Sequence, residues 1–262
     1  MKRRHLIAGG PLLAAGMAAG GGAGAALPLR VGAALPDPPF ELMTPDGPAG
    51  FDIELMRRIA ERLGRAWRLV RYTGADFNGI FAGLADGAYD CVASGTTITP
   101  ERAKVVDFCA PYVVSGQSLV VDRTRHPEVH GVGDLKGLVI GVQRGNTSEP
   151  VAERLVAEGR AARVRVYAYD QIEQALADLS TGGCDAFMKL APVTHWFVRD
   201  RPNLAVVQTG ITREELGICV RKGDAALRQA IDQAQAALAA DGMLAALVKH
   251  WLGEGASLPK GA

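Results

Sequence analysis

The chain has 262 residues, 48% of them hydrophobic, which is enough to build a core in one large domain or two small ones. Its formal net charge is only +1. This balance gives no support to a nucleic acid or an anionic membrane surface as the partner, since either would attract a strongly basic chain.

The first 26 residues have the pattern of a secretory signal peptide. Lys2, Arg3 and Arg4 precede an apolar run rich in alanine and glycine, and Ala23-Gly24-Ala25 offers a small-residue cleavage site. The paired arginines leave both ordinary secretion and twin-arginine export open. No later stretch is long and apolar enough to span a bilayer. The mature protein is therefore predicted to lie in the periplasm.

Short apolar strands alternate with amphipathic helices in the residues that follow. The predicted strands are LRVGAAL, WRLVRY and YDCVASG, with one helix from Phe51 to Gly64 and another around Phe77 to Leu84 between them. This order of strand, helix, strand, helix, strand indicates a parallel α/β sheet.

The stretch SGTTITPER, from Ser94 to Arg102, is polar where a buried strand would be expected to stay apolar. Thr99 followed by Pro100 is typical of a helix start, as N-cap and first helical residue. Arg102 then falls in the first turn, where a positive charge is unfavourable beside the helix dipole. A bound anion would resolve this conflict, so the sequence predicts an anion site here.

The second half of the chain repeats the same order of elements. LVIGVQRG, VRVYAYD and CDAFMKL are predicted strands, with helices from Glu149 to Glu158 and from Gln171 to Leu179 between them. A β-rich segment connects the halves, LGICVRKG can run back as a strand, and a helical tail covers Asp224 to Trp251. Two such units predict two lobes joined by strands near 112–116 and 215–219, with a ligand cleft between them.

Cysteine and histidine give no sign of a metal centre or cofactor. Cys91, Cys109, Cys184 and Cys219 lie in or beside apolar strands, where buried free thiols and disulfides are both open to an exported protein. No Cys-x-x-Cys or Cys/His ligand spacing occurs, so neither a metal nor a cofactor is predicted.

Five segments resemble, in register and order, the extracytoplasmic solute-binding proteins, family 3, of polar amino acid ABC importers. They are PPFE, GFDIEL, DFNGIFAGLADGAYD, SGTTITPERAKVVDFCAPY and GICVRKGD. The resemblance implies a two-lobe periplasmic-binding-protein type II fold, an α/β fold in which each lobe has a mostly parallel sheet flanked by helices. Residues 1–26 would be the signal peptide, 27–113 with 216–262 lobe 1, and 114–215 lobe 2.

The resemblance also implies a ligand site in lobe 1. Arg102 matches the arginine that holds the ligand α-carboxylate, and Thr97 matches a hydroxyl residue that helps to bind it. Gly95 or Thr96 would open the pocket with backbone groups, and Phe77 matches an aromatic residue that packs on the ligand side chain. Two of these have plainer interpretations, since Arg102 could pair with Glu101 or Asp107 on the surface, and Phe77 could belong to the core.

In lobe 2, the turn from Arg144 to Ser148 matches a loop whose amides and hydroxyl complete carboxylate binding, which makes Asn146 and Thr147 candidates.

Two positions depart from the family pattern. The aspartate that binds the ligand α-amino group is Leu190 here, beside Lys189, and an aromatic residue is replaced by Asp37. Either Asp37 binds the amine, or the ligand has no α-amino group and Lys189 contacts a second acidic group. Asp37 as a turn residue and Lys189 as a solvated strand end also stay open.

The function implied is that of a monomeric solute-binding protein of an ABC importer. It would capture an amino acid or related small carboxylate and deliver it to a membrane permease that has a cytoplasmic ATPase. An enzyme on the same fold, similar to cyclohexadienyl or arogenate dehydratase, is the alternative, with Asp37 as the candidate acid or base.

Overall fold

The computed structural model describes residues 27–259, so the predicted signal peptide at 1–26 lies outside the described residues. The described chain forms two α/β lobes, each built on a five-stranded sheet, with a two-stranded connection between them. This is the two-lobe architecture that the repeated order of strands and helices predicts.

The elements are numbered along the chain. The strands are β1 (Leu29–Ala34), β2 (Leu42–Thr44), β3 (Gly47–Ala49), β4 (Trp67–Tyr72), β5 (Cys91–Val92), β6 (Val106–Phe108), β7 (Val113–Ser115), β8 (Gln117–Asp122), β9 (Val139–Gln143), β10 (Arg163–Tyr167), β11 (Ala186–Leu190), β12 (Leu204–Gln208), β13 (Glu214–Leu216) and β14 (Cys219–Arg221). The helices are α1 (Phe51–Arg62), α2 (Ala82–Ala85), α3 (Ser148–Ala157), α4 (Ile172–Thr181), α5 (Ala191–Val198), α6 (Ala225–Ala240) and α7 (Met243–Leu247).

The sheet of the first lobe has the order β4-β1-β5-β14-β6. Strands β4, β1 and β5 are parallel, whereas β14, which returns from the second lobe, is antiparallel to both of its neighbours. Helix α1 covers this sheet with Leu55, Met56 and Ile59, all fully buried, as its spacing of apolar residues predicts. Burial of side chains of this kind contributes roughly 1.5 to 3 kcal/mol each.

The sheet of the second lobe has the order β10-β9-β11-β8-β12. Strands β10, β9 and β11 are parallel, and β8 runs antiparallel to β11 and β12. Strand β7 pairs with β13, with Val113 opposite Leu216, and this pair connects the lobes. Only Gly116 separates β7, which connects the lobes, from β8. Gln117, the first residue of β8, therefore lies at the base of the cleft.

The helix predicted to begin at Thr99 and Pro100 is shorter than expected. Thr99 Oγ1 accepts a hydrogen bond from Arg102 N at 3.2 Å, so Thr99 acts as a cap. The helix is only a 3₁₀ turn, Arg102–Lys104, because the chain enters β6 at Val106. The sequence predicted an anion site here because of a helix dipole. One turn has too few aligned peptides to form a macrodipole, so this reason for the site is wrong, while the site itself stays a prediction.

The C-terminal helix is broken rather than continuous. Helix α6 ends at Ala240, and Gly242 adopts a left-handed backbone with φ of 79° before α7 starts at Met243. Asp241 Oδ1 accepts a hydrogen bond from Met243 N at 3.0 Å, which fixes the new helix start. The apolar stripe continues across the break, so the pattern predicted the buried face and missed the kink.

The four cysteines are buried free thiols, which decides between the two states left open by the sequence. Within residues 27–259, no helix combines the length and the apolar character that crossing a membrane requires.

Candidate functional site

A small, largely enclosed cavity lies between the lobes, at the carboxyl ends of the parallel strands. All but one of the predicted ligand-binding residues line it; the exception is Thr96, which is buried and accepts a hydrogen bond from Gly217 N through its carbonyl oxygen. Whether these residues bind a ligand stays a prediction. The lining residues are Asp37, Phe77, Ser94, Gly95, Thr97, Arg102, Gln117, Asn146, Thr147, Ser148, Lys189 and Leu190.

Arg102 lies across the cleft and is 7% exposed. Its Nη1 donates to the carbonyl oxygen of Thr97 at 3.0 Å, and its Nε donates to Asn78 Oδ1 at 3.2 Å. Its Nη2 reaches the second lobe and donates to Gly145 O at 3.0 Å. The guanidinium carbon lies 5.0 Å from the centre of the Phe77 ring, within the range of a cation–π contact.

The partners of Arg102 are all neutral, and within the described residues no carboxylate oxygen lies within ion-pair distance of its guanidinium. Burial lowers the pKa of Arg102 to about 10, which leaves the group charged at neutral pH. The surface pairing considered from the sequence does not occur, since Asp107 pairs with Lys222 at 2.8 Å. Arg102 is therefore a buried cation with no carboxylate in direct contact among the described residues, although the nearby Glu214 charge favours its charged form.

Phe77 serves both the core and the cavity. It is 3% exposed and packs edge-on against Phe81 at 6.1 Å and, tilted, against Tyr169 of the second lobe at 5.2 Å. Asp76 caps the 3₁₀ turn that Phe77 begins by accepting a hydrogen bond from Asn78 N at 2.8 Å. The two interpretations drawn from the sequence are therefore compatible.

The lobes touch along one side of the cleft, so the structure describes a closed conformation. Phe77 N donates to Arg144 O at 3.2 Å, and Tyr169 N donates to Ala75 O at 2.8 Å. Gly145 has a left-handed backbone with φ of 77°, and a Cβ at this position would lie 2.1 Å from Asp76 Oδ1. Only glycine allows this approach between the lobes.

Lys189 and Asp37 form an ion pair across the cleft. Lys189 Nζ lies 3.0 Å from Asp37 Oδ1, and the two residues are 3% and 5% exposed. Lys189 Nζ also lies 5.3 Å from the centre of the Tyr169 ring. Lys189 is thus not a solvated strand end, and Asp37 is more than a turn residue. Leu190 lines the cavity as predicted, so it leaves this wall without a carboxylate.

Two more carboxyl groups are buried behind the cavity. Asp52 accepts hydrogen bonds from Gly95 N at 2.6 Å and from Tyr112 OH at 3.2 Å. Burial raises the pKa of Asp52 to about 7. Glu41 accepts from Ser94 Oγ, and its pKa lies well above its usual range because of burial, with the Asp52 charge adding to the effect.

These shifts imply a stability that falls as the pH rises. A carboxyl whose pKa is raised by folding contributes stability that is fully present below its unfolded pKa of about 4 and is lost as the pH passes its folded pKa. We expect the free energy of unfolding to drop by about 2 kcal/mol between pH 5 and pH 8, and Asp52→Asn to flatten this slope. Urea unfolding at a series of pH values measures it, with Asp46→Asn in an exposed turn as the control. An unchanged slope in Asp52→Asn would contradict the assignment.

A hydrogen-bond network at the hinge was not predicted from the sequence. Glu214 on β13 accepts from Thr97 Oγ1 and Thr147 Oγ1, both at 2.7 Å, and from Gln117 Nε2 at 2.8 Å. Gln117 carries a signal that could have been used, because it is a long polar residue that directly follows a glycine at the hinge. Glu214 carries none, since nothing in the sequence separates it from Glu215.

Comparison with known proteins gives one family and one fold. The sequence profile of the bacterial extracellular solute-binding proteins, family 3, matches residues 29–254. ABC transporter arginine-binding protein 1 of Escherichia coli (strain K12) is 29% identical over 236 aligned residues, covering 88% of this chain and 93% of that protein.

Two solved structures have a similar fold. An ancestral arginine-binding protein bound to arginine superposes with a TM-score of 0.78 at 34% identity, covering 86% of this chain and 98% of that one. The ancestral amino acid-binding protein AncCDT-1, a precursor of cyclohexadienyl dehydratase, superposes with a TM-score of 0.76 at 32% identity, covering 86% and 95%. The two-lobe fold of periplasmic-binding-protein type II is thereby confirmed, and the chain belongs to the bacterial extracellular solute-binding proteins, family 3.

Proposed function

We propose that this protein captures an amino acid in the periplasm and delivers it to the permease of an ABC importer, whose cytoplasmic ATPase drives uptake. Its membership of family 3 supports a transport role, and the arginine-binding relatives support an amino acid as the ligand. The protein would act as a monomer, exported by the signal peptide predicted at 1–26.

The observation that carries the proposal is the charge of Arg102. A guanidinium held between two carbonyl oxygens and an amide oxygen, and buried to 93%, has a large unmet preference for an anion. A ligand carboxylate would supply that anion, and Arg102 is suited to bind it through two parallel hydrogen bonds. Ser148 Oγ, buried in the cavity wall without a protein partner in the described residues, is available to the same carboxylate.

A bound ligand would favour closure of the cleft, because the residues that would contact it lie in both lobes. Arg102 and Phe77 belong to the first lobe, whereas Asn146, Thr147 and Ser148 belong to the second, so a ligand touches both sets only when the cleft is closed. A ligand shifts the equilibrium by its differential affinity for the two states. The permease would then recognise the closed form.

Thermal unfolding with a panel of the twenty L-amino acids tests the proposal. A true ligand at 100 times its dissociation constant should add about 2.7 kcal/mol of stability, which is roughly 5 to 10 °C for a chain of this size. Agmatine, which is arginine without its carboxylate, is the matched control and should give no comparable shift. The proposal fails if no amino acid raises the unfolding temperature.

The dehydratase alternative has less support. Asp37, its candidate acid or base, is engaged by Lys189, and the relatives named above are binding proteins. Turnover of a cyclohexadienyl acid by the purified protein would favour it.

A further inference from the structure

An α-amino acid brings an ammonium group into the cleft, and this group needs a counter-charge. The wall position where the family has an aspartate is Leu190, which is apolar and 7% exposed. Burying an ammonium without a compensating charge is strongly unfavourable. If the proposed function is right, another carboxylate must therefore serve the ligand amine, or the ligand has no amine.

Glu214 has the hydrogen bonds of an ionised carboxylate. Its Oε2 accepts from Thr97 Oγ1 and Thr147 Oγ1, and its Oε1 accepts from Gln117 Nε2 and Thr212 Oγ1, all at 2.7 to 2.8 Å. Four donors around two oxygens match an ionised carboxylate, which is acceptor-only. The side chain is 7% exposed, so its charge is poorly screened by water.

These hydrogen bonds determine which groups of the cavity wall can act as donors or acceptors toward a ligand. A threonine hydroxyl has one proton, and Thr97 and Thr147 both give theirs to Glu214. Both residues line the cavity, so their hydroxyl oxygens can bind a ligand there only as acceptors. Gln117 donates from Nε2 to Glu214 and Thr147, while its Oε1 is buried and has no partner in the described part of the chain. Three acceptors that line the cavity are thus backed by one negative charge.

The other buried carboxyl groups are engaged elsewhere. Asp37 lies 3.0 Å from Lys189 Nζ, so its charge is already matched. Glu41 and Asp52 do not line the cavity, and they bind Ser94 Oγ and Gly95 N respectively. Ser94 also lines the cavity, but burial raises the pKa of Glu41 well above its usual range, which favours its neutral form. Glu214 is therefore the carboxylate whose negative charge reaches the cavity through side chains that line it.

We propose that Glu214, acting through Thr97, Thr147 and Gln117, replaces the missing aspartate as the counter-charge for the ligand α-ammonium. The inference rests on the proposed function and narrows it to α-amino acids, with deaminated acids excluded. It assigns the Thr97 hydroxyl to the ammonium, whereas the family resemblance assigned it to the carboxylate. It also links the ligand amine to closure, because Thr97 belongs to the first lobe, and Gln117 and Thr147 to the second.

The test compares each L-amino acid that binds with its deaminated counterpart, beginning with L-arginine and 5-guanidinopentanoic acid. Calorimetry should give the parent protein at least a 100-fold preference for the amino acid. In Glu214→Gln, which keeps the size of the side chain, we expect the amino acid to bind about 100-fold more weakly and the deaminated acid to change less than fivefold. A purely structural role for Glu214 would weaken both ligands alike.

Two controls separate charge from folding. Glu215→Gln alters the next residue of β13, whose side chain pairs with Arg213, and should leave the preference unchanged. Gln117→Met should lower the preference, whereas Gln235→Met, which removes another buried glutamine with an unpartnered Oε1, should not. The inference is overturned if Glu214→Gln keeps the preference of the parent, or if the parent binds deaminated acids as tightly as amino acids. The second result would leave carboxylate capture intact, whereas binding of no acid at all would refute the proposed function as well.

Discussion

Replacing Arg102 with methionine is expected to abolish most of the affinity for the ligand. Methionine keeps much of the buried length but removes the charge, so a carboxylate in the cavity would lose its counter-ion while still being desolvated. Truncating one partner of a buried, hydrogen-bonded charge pair costs about 2 to 5 kcal/mol, which corresponds to a roughly 30-fold to several thousand-fold weaker binding.

Isothermal calorimetry with the tightest-binding amino acid of the panel measures this loss. Arg144→Met is the matched control, because Arg144 lies in the same cleft but its side chain is exposed. The control should bind within a fewfold of the parent protein. If Arg102→Met bound as tightly as Arg144→Met, the carboxylate would have to be held elsewhere.

Replacing Gly145 with alanine is expected to hold the cleft open. The added methyl group would lie 2.1 Å from Asp76 Oδ1 and 3.0 Å from Phe77 N in the closed state, and neither neighbour can yield easily because Asp76 caps the turn that Phe77 begins. The open state is free of this clash. If the closed state becomes a minor population of a tenth or less, the apparent affinity falls by about tenfold or more.

Small-angle scattering reports the opening as a larger radius of gyration that saturating amino acid does not reduce. Gly159→Ala is the control for backbone strain, because Gly159 has a similar φ of 70° and nothing within 4 Å of an added Cβ. Both variants should lose a similar amount of stability, about 1 kcal/mol, but only Gly145→Ala should lose affinity. Normal closure in Gly145→Ala would mean that the lobes do not approach at this turn.

The repeated order of strands and helices was enough to predict two lobes, because each helix carries an apolar face at the spacing that its sheet requires. Helix α1 is the clearest case, since Leu55, Met56 and Ile59 are buried as their periodicity indicates. The lengths of two elements were not predictable in this way. The turn after Pro100 and the break at Gly242 depend on where the chain must enter the next element, and local propensity does not contain that information.

The location of a candidate site residue was predictable where that residue alone gives the signal. It was less predictable where several residues, distant in sequence, act together. A lone arginine after a polar strand end indicates an anion, and Arg102 is buried at the cleft as that pattern suggests. The partner of Lys189 could not be assigned, because Asp37 lies in the other lobe and meets it only on closure. Three of the four hydrogen bonds to Glu214 come from residues 67 to 117 positions away, which no local pattern records.

The most direct test of the account is a crystal structure of the protein with its tightest-binding amino acid. Both oxygens of the ligand carboxylate are expected within about 3 Å of the Arg102 guanidinium nitrogens, in a closed cleft. A carboxylate bound to Lys189 instead, with Arg102 left to its carbonyl partners, would contradict it.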